Sequence, residues 1–137
     1  MWSDRTQIDD ADVAARLSRY RDIAWFLKHA AGRDVEVHDR SDEIGLLALQ
    51  GPKAPAILAR LTETDVDGIG YYHFAPGEVA GKNAIISRTG YTGEDGFELY
   101  LDAGDASHVW TALLDAGRED GLIPAGLGAR DGLRLEV

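Results

Sequence analysis

The stretch "SRTGYTGEDGFELY", Ser87 to Tyr100, decides the fold because a glycine-rich loop leads directly into a strand-like run. Arg88 to Gly96 contains three glycines and the adjacent acids Glu94 and Asp95. This composition is typical of a polar loop that needs positive φ angles or a close approach to another segment. Apolar residues precede the loop, and residues 97–101 follow with partial alternation. The sequence therefore predicts strand, loop, strand.

Glu98 has two interpretations at this point. The period of a strand places Phe97, Leu99 and Leu101 on one face, and Glu98 and Tyr100 on the other. A carboxylate then shares a face with an aromatic ring. The pattern alone favours a hairpin whose carboxylate points to water over a binding site, because carboxylates are mostly exposed.

Length and amino-acid composition limit the class of protein. A chain of 137 residues with 45% hydrophobic residues predicts one domain, residues 1–137, with a real core. Cysteine is absent, which excludes disulfides, thiolate metal sites and cysteine nucleophiles. His73 and His108 lack ligand spacing, so no metal is predicted.

Charge and hydropathy limit the partners. The formal net charge of −10 argues against nucleic acid and anionic membranes as partners, because both would be repelled. No apolar run approaches the roughly 18 residues of a membrane span, and the acidic N-terminal stretch does not resemble a signal peptide. We expect a cytoplasmic protein without a membrane partner.

Four helices are predicted from apolar spacing. Asp10 to Ala31 has apolar residues three and four apart and predicts an amphipathic helix that ends at Gly32. Pro52 occupies the first turn of a second helix. Asp105 caps a third that ends near Gly117, and the last helix begins near Leu127.

Strand patterns complete an α+β prediction. Ile44–Leu49 is a continuous apolar run, typical of a buried strand. Further strands are predicted over Arg33–Val37, Ile69–Phe74 and Lys82–Ser87, with a turn at Pro76 and Gly77 between the last two. The fold class is α+β, a single domain with a mostly antiparallel sheet and packed helices, close to a split β-α-β arrangement.

Three motifs carry a family resemblance. They are "ALQGPKA" (Ala48 to Ala54), "SRTGYTGEDGFELY" (Ser87 to Tyr100) and "GLGARDGLRLEV" (Gly126 to Val137). Together they resemble the glycine cleavage system T protein, an aminomethyltransferase. Three motifs in the family's order are far more specific than one glycine-rich loop, and the match runs from about Asp22 onward. The resemblance implies part of the aminomethyltransferase folate-binding domain.

The resemblance also implies an activity. Proteins of this family transfer the aminomethyl group carried on the lipoyl arm of H protein to tetrahydrofolate, with release of ammonia and formation of 5,10-methylenetetrahydrofolate. The expected cofactor is tetrahydrofolate, and the expected partner is lipoylated H protein. Sarcosine and dimethylglycine dehydrogenases carry similar domains, but the "GYTGEDGFE" form is closer to the T protein.

Two charged residues are assigned to the cofactor site by motif. Glu98 matches the family glutamate that binds the pterin, whose exocyclic amine and ring N–H suit a carboxylate fork. Arg130 of "GARD" matches an arginine that holds an oxygen of the pterin or a carboxylate. The alternative for Arg130 is a helix salt bridge with Asp131 or Glu136.

Three aromatic residues are assigned beside them. Tyr91 matches an aromatic that packs against the folate's planar ring. Phe74 and Tyr100 are predicted to line the same pocket, with core burial as the alternative for each. Glu98, Tyr91 and Arg130 are predicted to face one concavity.

The chain also departs from the family. The family has an aspartate that acts at the folate and an asparagine in a "VNA" motif, whereas the matching region here, residues 12–25, reads "DVAARLSRYRDIAW". No catalytic residue is therefore assigned, and Asp95 or Asp131 would be the substitute acid.

The family also continues into a C-terminal domain, so the chain is expected to be a middle segment. We expect no turnover by the chain alone, and either a complementing chain or self-association. Whether it is an enzyme stays open. The other hypothesis is a non-catalytic folate-binding or protein-interaction module.

Overall fold

The structure is a computed structural model that describes the backbone of residues 10–135 and the side chains of residues 20–135. It divides into two compact units, Met1–Arg40 and Ser41–Val137.

The first unit contains helix α1 (Asp10–Ala30), followed by Gly32 at a φ of 77°. The predicted helix is confirmed, but its amphipathic character is wrong. Trp25, Phe26 and Leu27 are consecutive and each is more than half exposed, so the apolar surface is not confined to one face. Contacts within the last turn stabilise it. His29 Nδ1 donates to the carbonyl of Trp25 (2.8 Å), and the two rings stack with their centroids 4.1 Å apart.

The predicted strand at Arg33–Val37 is wrong. This segment pairs with no strand among the residues that the structure describes, and it runs irregularly to the end of the unit. An alternating pattern forms a strand only where a second strand supplies hydrogen-bond partners for its backbone.

The second unit is built on a four-stranded sheet of β1 (Ile44–Gln50), β2 (Phe74–Val79), β3 (Lys82–Ser87) and β4 (Gly96–Asp102). Its order is β1-β4-β3-β2, and every neighbouring pair is antiparallel. The predicted antiparallel sheet is confirmed. The split β-α-β arrangement is wrong, because β2, β3 and β4 form a meander to which β1 adds antiparallel.

Strand β2 lies later in the chain than predicted. It begins at Phe74, so Pro76 and Gly77 lie inside the strand and the turn falls at Ala80 and Gly81, whose φ angles are 52° and 74°. Proline is tolerated there because β2 is an edge strand. Gly77 is required by a close approach, since a Cβ at this position would lie 2.2 Å from Thr64 Oγ1.

Strand β1 is also an edge strand, not the buried strand predicted. Leu49 is buried, whereas Ile44 and Leu46 are 41% and 51% exposed. The continuous apolar run of β1 therefore makes both faces of the strand apolar. Only the face that contains Leu49 is packed against the core.

Helices α2 (Ala54–Leu58) and α3 (Ala106–Gly117) contribute to the core on one side of the sheet, and α4 (Leu127–Leu135) follows at the end of the chain. The core includes Phe97, Leu99 and Leu101 of β4, as the period of two predicts. The full buried set is Leu49, Ala54, Ile57, Leu58, Val66, Ile69, Val79, Ala84, Ile86, Phe97, Leu99, Leu101, Val109 and Leu113.

Asp105 occupies the N-cap position of α3, but its side chain makes no cap hydrogen bond. Its carboxylate instead forms an ion pair with Lys82, with Oδ1 2.7 Å from Nζ, and this contact connects the start of α3 to β3. Asp102 caps the short 3₁₀ turn Ala103–Asp105 that precedes α3, since its Oδ1 accepts from the Gly104 amide at 2.8 Å. The predicted cap position at Asp105 is therefore confirmed, but the capping hydrogen bond is not made.

Candidate functional site

The sheet face opposite the core is exposed and mainly apolar. The strand register forms two cross-strand rows on it: Phe74, Ser87, Glu98 and Ala48 in one, and Pro76, Ile85, Tyr100 and Leu46 in the next. We call these two rows the open face. Glu98 is the single acid in the two rows, and its cross-strand neighbours are Ala48 and Ser87.

Four of the five predicted site residues occupy the elements expected for them, whereas Phe74, predicted to end a strand, begins one. Glu98 and Tyr100 lie on β4, Phe74 begins β2, Tyr91 lies in the loop before β4, and Arg130 lies near the start of α4. Phe74 is 68% exposed and Tyr100 is 36% exposed, so core burial, the alternative for both, is wrong.

Glu98 is held by a chain of hydroxyl groups. Thr89 Oγ1 donates to Glu98 Oε2, and Ser87 Oγ lies 3.0 Å from the same threonine oxygen. A threonine hydroxyl carries one proton, so Ser87 must donate to Thr89. No side chain in the described range 20–135 pairs a positive charge with Glu98 or donates to its Oε1. One carboxylate oxygen is therefore fixed and the other is available to a ligand.

Gln50, at the end of β1, fastens the loop that contains Thr89. Its Nε2 donates to the carbonyls of Thr89 (3.1 Å) and Phe97 (3.3 Å), and its Oε1 accepts from Thr92 Oγ1 (3.0 Å). We call these three contacts the Gln50 clamp. The nitrogen and the oxygen of the Gln50 amide both form hydrogen bonds in this way. A residue of β1 therefore positions the loop that precedes β4.

The glycines of the loop leave room for the clamp. A Cβ at Gly90 would lie 1.9 Å from Gln50 Oε1. A Cβ at Gly96 would lie 2.6 Å from the Leu49 carbonyl and 2.8 Å from Gln50 Cα, both backbone atoms of β1. The glycine-rich composition therefore reflects a close approach of the loop to β1.

Replacing Gly96 by alanine is expected to destabilise the chain by about 1–3 kcal/mol, because the new methyl group would overlap backbone that cannot move aside. Urea unfolding measures the loss. Gly126→Ala is the matched control, since nothing lies within 4 Å of a Cβ there. Equal unfolding midpoints for the two variants would contradict the close approach.

Arg88 and Asp95 close the loop at its two ends. Arg88 Nε donates to Asp95 Oδ1 (3.0 Å) and Nη2 to Oδ2 (2.6 Å), and Nη1 reaches the Ile69 carbonyl at 3.0 Å. The hydrogen bonds from Arg88 lower the pKa of Asp95, and the same bonds raise the pKa of Arg88. Asp95 is thus ionised at neutral pH and is a poor proton donor.

This pair predicts a pH dependence of stability. The folded pKa of Asp95 lies below its ordinary value of 3.8, so its contribution is present above that value and is lost as pH falls through the folded pKa. Asp95→Asn should lower the free energy of unfolding most at neutral pH, and the difference from wild type should shrink toward the lowest pH at which both fold. In an Arg88→Gln background this dependence should largely disappear. A difference that is constant with pH would refute the assignment.

Tyr91 packs against two arginines of α4. The guanidinium carbon of Arg134 lies 4.4 Å from its ring centroid and that of Arg130 lies 5.8 Å away. These distances are typical of cation–π contacts. Arg130 Nη2 also forms an exposed ion pair with Asp131 (3.1 Å), so that alternative is present, whereas Glu136 lies outside the described residues.

A cleft of about 770 Å³ follows the β1 edge between the end of the sheet and α4. Gln50, Thr92 and Arg130 line it, together with apolar residues of β1 and α2 to α4. Glu98 and Tyr91 are not among its lining residues, and Tyr100 lines a shallower depression of about 520 Å³ on the open face. Tyr91 and Arg130 are therefore brought together, whereas Glu98 lines neither of these two depressions.

Sequence reasoning missed four residues of this arrangement. Gln50, Ser87, Thr89 and Arg134 make the contacts that hold Glu98 and Tyr91. All four stand inside the quoted motifs, so motif membership was a signal. Nothing local indicates that Gln50 reaches a loop 39 positions along the chain.

The described residues offer neither a metal site nor a membrane span. No group of three or more histidine, aspartate or glutamate side chains in that range is arranged to hold a metal ion. Within the same range, no helix combines the length and apolar composition needed to cross a bilayer.

The chain resembles curated aminomethyltransferases over most of its length. It is 54% identical over 118 residues to the aminomethyltransferase of Bacillus subtilis and 55% identical over 117 residues to that of Moorella thermoacetica. Each match covers 85% of this chain and 32% of the relative. The Streptomyces coelicolor aminomethyltransferase is 57% identical over 110 residues, covering 80% of the chain and 30% of the relative. The chain thus spans about a third of the length of these relatives.

A solved structure shares the fold. The heterotetrameric sarcosine oxidase from Corynebacterium sp. U-96, in complex with pyrrole 2-carboxylate, superposes with a TM-score of 0.60 at 24% identity. The match covers 73% of this chain and 51% of that one. At the level of sequence families, the GCVT N-terminal domain matches residues 10–137. The chain therefore belongs to the GCVT N-terminal domain family.

Proposed function

We propose that this chain supplies part of the tetrahydrofolate site of an aminomethyltransferase that acts in glycine cleavage. The observation that carries the proposal is Glu98. Its carboxylate lies on the open face in the row between Ala48 and Ser87, is held by Thr89 through Oε2, and has no cationic partner among side chains 20–135. Identity above 50% to aminomethyltransferases over 85% of the chain supports the same reaction class.

The residues of the open face fit the pterin of tetrahydrofolate chemically. A carboxylate is an acceptor for an exocyclic amine and an adjacent ring N–H, and both bonds gain strength from its charge. The Tyr100 phenol is protonated at neutral pH and can donate, and burial, and secondly the charge of Glu98, raise its pKa further above the ordinary value of 10.0. Exposed Phe74 offers a ring face in the same row as Glu98.

Tyr91 and Arg130 are proposed to contact the same molecule away from Glu98. Arg130 lines the cleft with a side chain that is about half exposed, so it is accessible to an anionic group. The carboxylates of the folate tail have the matching charge. Tyr91 would keep Arg130 in place through the ring contact described above.

Tetrahydrofolate, when bound, would accept the one-carbon unit from the lipoyl arm of H protein, with release of ammonia. In this proposal the chain's own residues bind and orient the acceptor. The proposed partners are lipoylated H protein and a chain that completes the enzyme. This second chain is either a complementing chain or another copy of the same one.

Titration calorimetry with tetrahydrofolate under anaerobic conditions tests the proposal. We expect saturable binding of one molecule per chain, competed by 5-formyltetrahydrofolate. Absence of binding at millimolar ligand would reject the folate site.

A second candidate function is a folate-binding module without catalysis of its own. Asp95 favours it, because the substitute acid nearest Glu98 in sequence is ionised by its pairing with Arg88. Ammonia release from aminomethyl-loaded H protein, measured with tetrahydrofolate and the purified chain, separates the two functions. Release above the rate without the chain supports the enzyme, and binding without release supports the module.

A further inference from the structure

We propose that Thr89 is a positioning residue for the carboxylate of Glu98, and that it sets how this group meets a ligand presenting adjacent N–H donors. The inference rests on the proposed folate site. Thr89 itself is not proposed to touch the ligand.

The first argument is the direction of the hydrogen bonds. Ser87 donates to Thr89, and Thr89 donates to Glu98 Oε2, so the single threonine proton is committed to the carboxylate. A carboxylate on two flexible torsions rotates freely about its last bond unless an oxygen is held. Thr89 supplies that restraint and leaves Oε1 directed away from the loop contact.

The second argument is that Thr89 is itself fixed at both ends. Its carbonyl accepts from Gln50 Nε2 (3.1 Å), and its hydroxyl accepts from Ser87, a residue of β3 that is only 9% exposed. The restraint is thus anchored in two strands and does not depend on the loop alone. Both donors come from the sheet that also carries Glu98.

The third argument concerns ligand geometry. Two adjacent N–H donors of a planar heterocycle require both carboxylate oxygens to lie near the plane of that ring. Oε2 can accept a second bond while keeping the one from Thr89, because each oxygen has two lone pairs. A carboxylate preset in this way avoids the entropy loss of ordering it during binding.

The test uses five variants of the whole chain, one of them a control, and tetrahydrofolate as the probe. Thr89→Val removes the hydroxyl and keeps the branched shape, whereas Thr89→Ser keeps the hydroxyl. Glu98→Gln and the double variant Thr89→Val with Glu98→Gln complete a double-mutant cycle. Thr111→Val is the matched control, because the Thr111 hydroxyl donates to a carbonyl of its own helix (3.0 Å).

We expect Thr89→Val to weaken tetrahydrofolate binding by about three- to tenfold, with Thr89→Ser and Thr111→Val within about twofold of wild type. In the Glu98→Gln background, Thr89→Val should have little further effect, because its action passes through the carboxylate. In the ligand-free chain, the ¹³C shift of the Glu98 carboxylate should change in Thr89→Val and return in Thr89→Ser.

The outcomes separate this inference from the proposed function. Wild-type binding that is weakened by Glu98→Gln but unaffected by Thr89→Val overturns the role of Thr89 alone. An equal loss from Thr89→Val in both backgrounds assigns Thr89 to general loop stability and also overturns it. Absence of binding by the wild-type chain overturns both proposals.

Discussion

Replacing Glu98 by alanine is expected to weaken tetrahydrofolate binding by about ten- to a hundredfold, or roughly 1.5–3 kcal/mol. The substitution removes the charged acceptor from the middle of the open face and leaves the ligand's N–H donors without a partner. Thr89, its neighbour, would lose its acceptor as well. Titration calorimetry on both proteins measures the change in Kd.

Glu78→Ala is the matched control for this measurement. Glu78 is an exposed glutamate of β2 whose side chain faces the same side of the sheet, two strands away from β4. The two variants therefore remove equal charge from one face, and a loss confined to Glu98→Ala reports a specific contact. Similar affinities for Glu98→Ala and wild type would remove Glu98 as the pterin ligand.

Phe97→Ala is expected to lower the free energy of unfolding by about 3–5 kcal/mol, the range for deleting a buried aromatic ring. The Phe97 side chain is fully buried in the core. Its ring also lies 5.6 Å from the guanidinium carbon of Arg88, and its carbonyl accepts from the Gln50 amide. The carbonyl remains in the alanine variant, so it is the lost ring contact to Arg88 that should loosen the loop holding Glu98, in addition to the core.

Phe74→Ala provides the comparison, because Phe74 is 68% exposed and its removal should change stability by less than about 0.5 kcal/mol. Urea unfolding followed by circular dichroism measures both variants. If Phe97→Ala does not fold, Phe97→Leu should still unfold at a lower urea concentration than Phe74→Ala. The opposite ranking would show that the side of β4 facing the core is wrongly assigned.

The two phenylalanines also show why burial was predictable for one and not for the other. Phe97 alternates with Leu99 and Leu101, so a period of two was enough to place it on an apolar face. Phe74 was predicted to end a strand, yet it begins β2, because the paired segment is selected by its register with β3. Pairing across strands decided that boundary, and the local composition around Pro76 pointed to a turn instead.

The features of the candidate site also fall into those that the sequence predicts and those that it does not. The sequence by itself determined that Glu98 lies on a strand after a glycine-rich loop, that Tyr91 lies in the loop and that Arg130 lies on the last helix, because short-range periodicity and turn chemistry fix these features. The tertiary structure alone decided that Gln50 clamps the loop, that Thr89 and Ser87 hold the Glu98 carboxylate, and that Arg134 joins Arg130 over Tyr91. These contacts depend on directed hydrogen bonds and ring distances between segments far apart in the chain, and local sequence patterns carry no information about the register that brings such segments together.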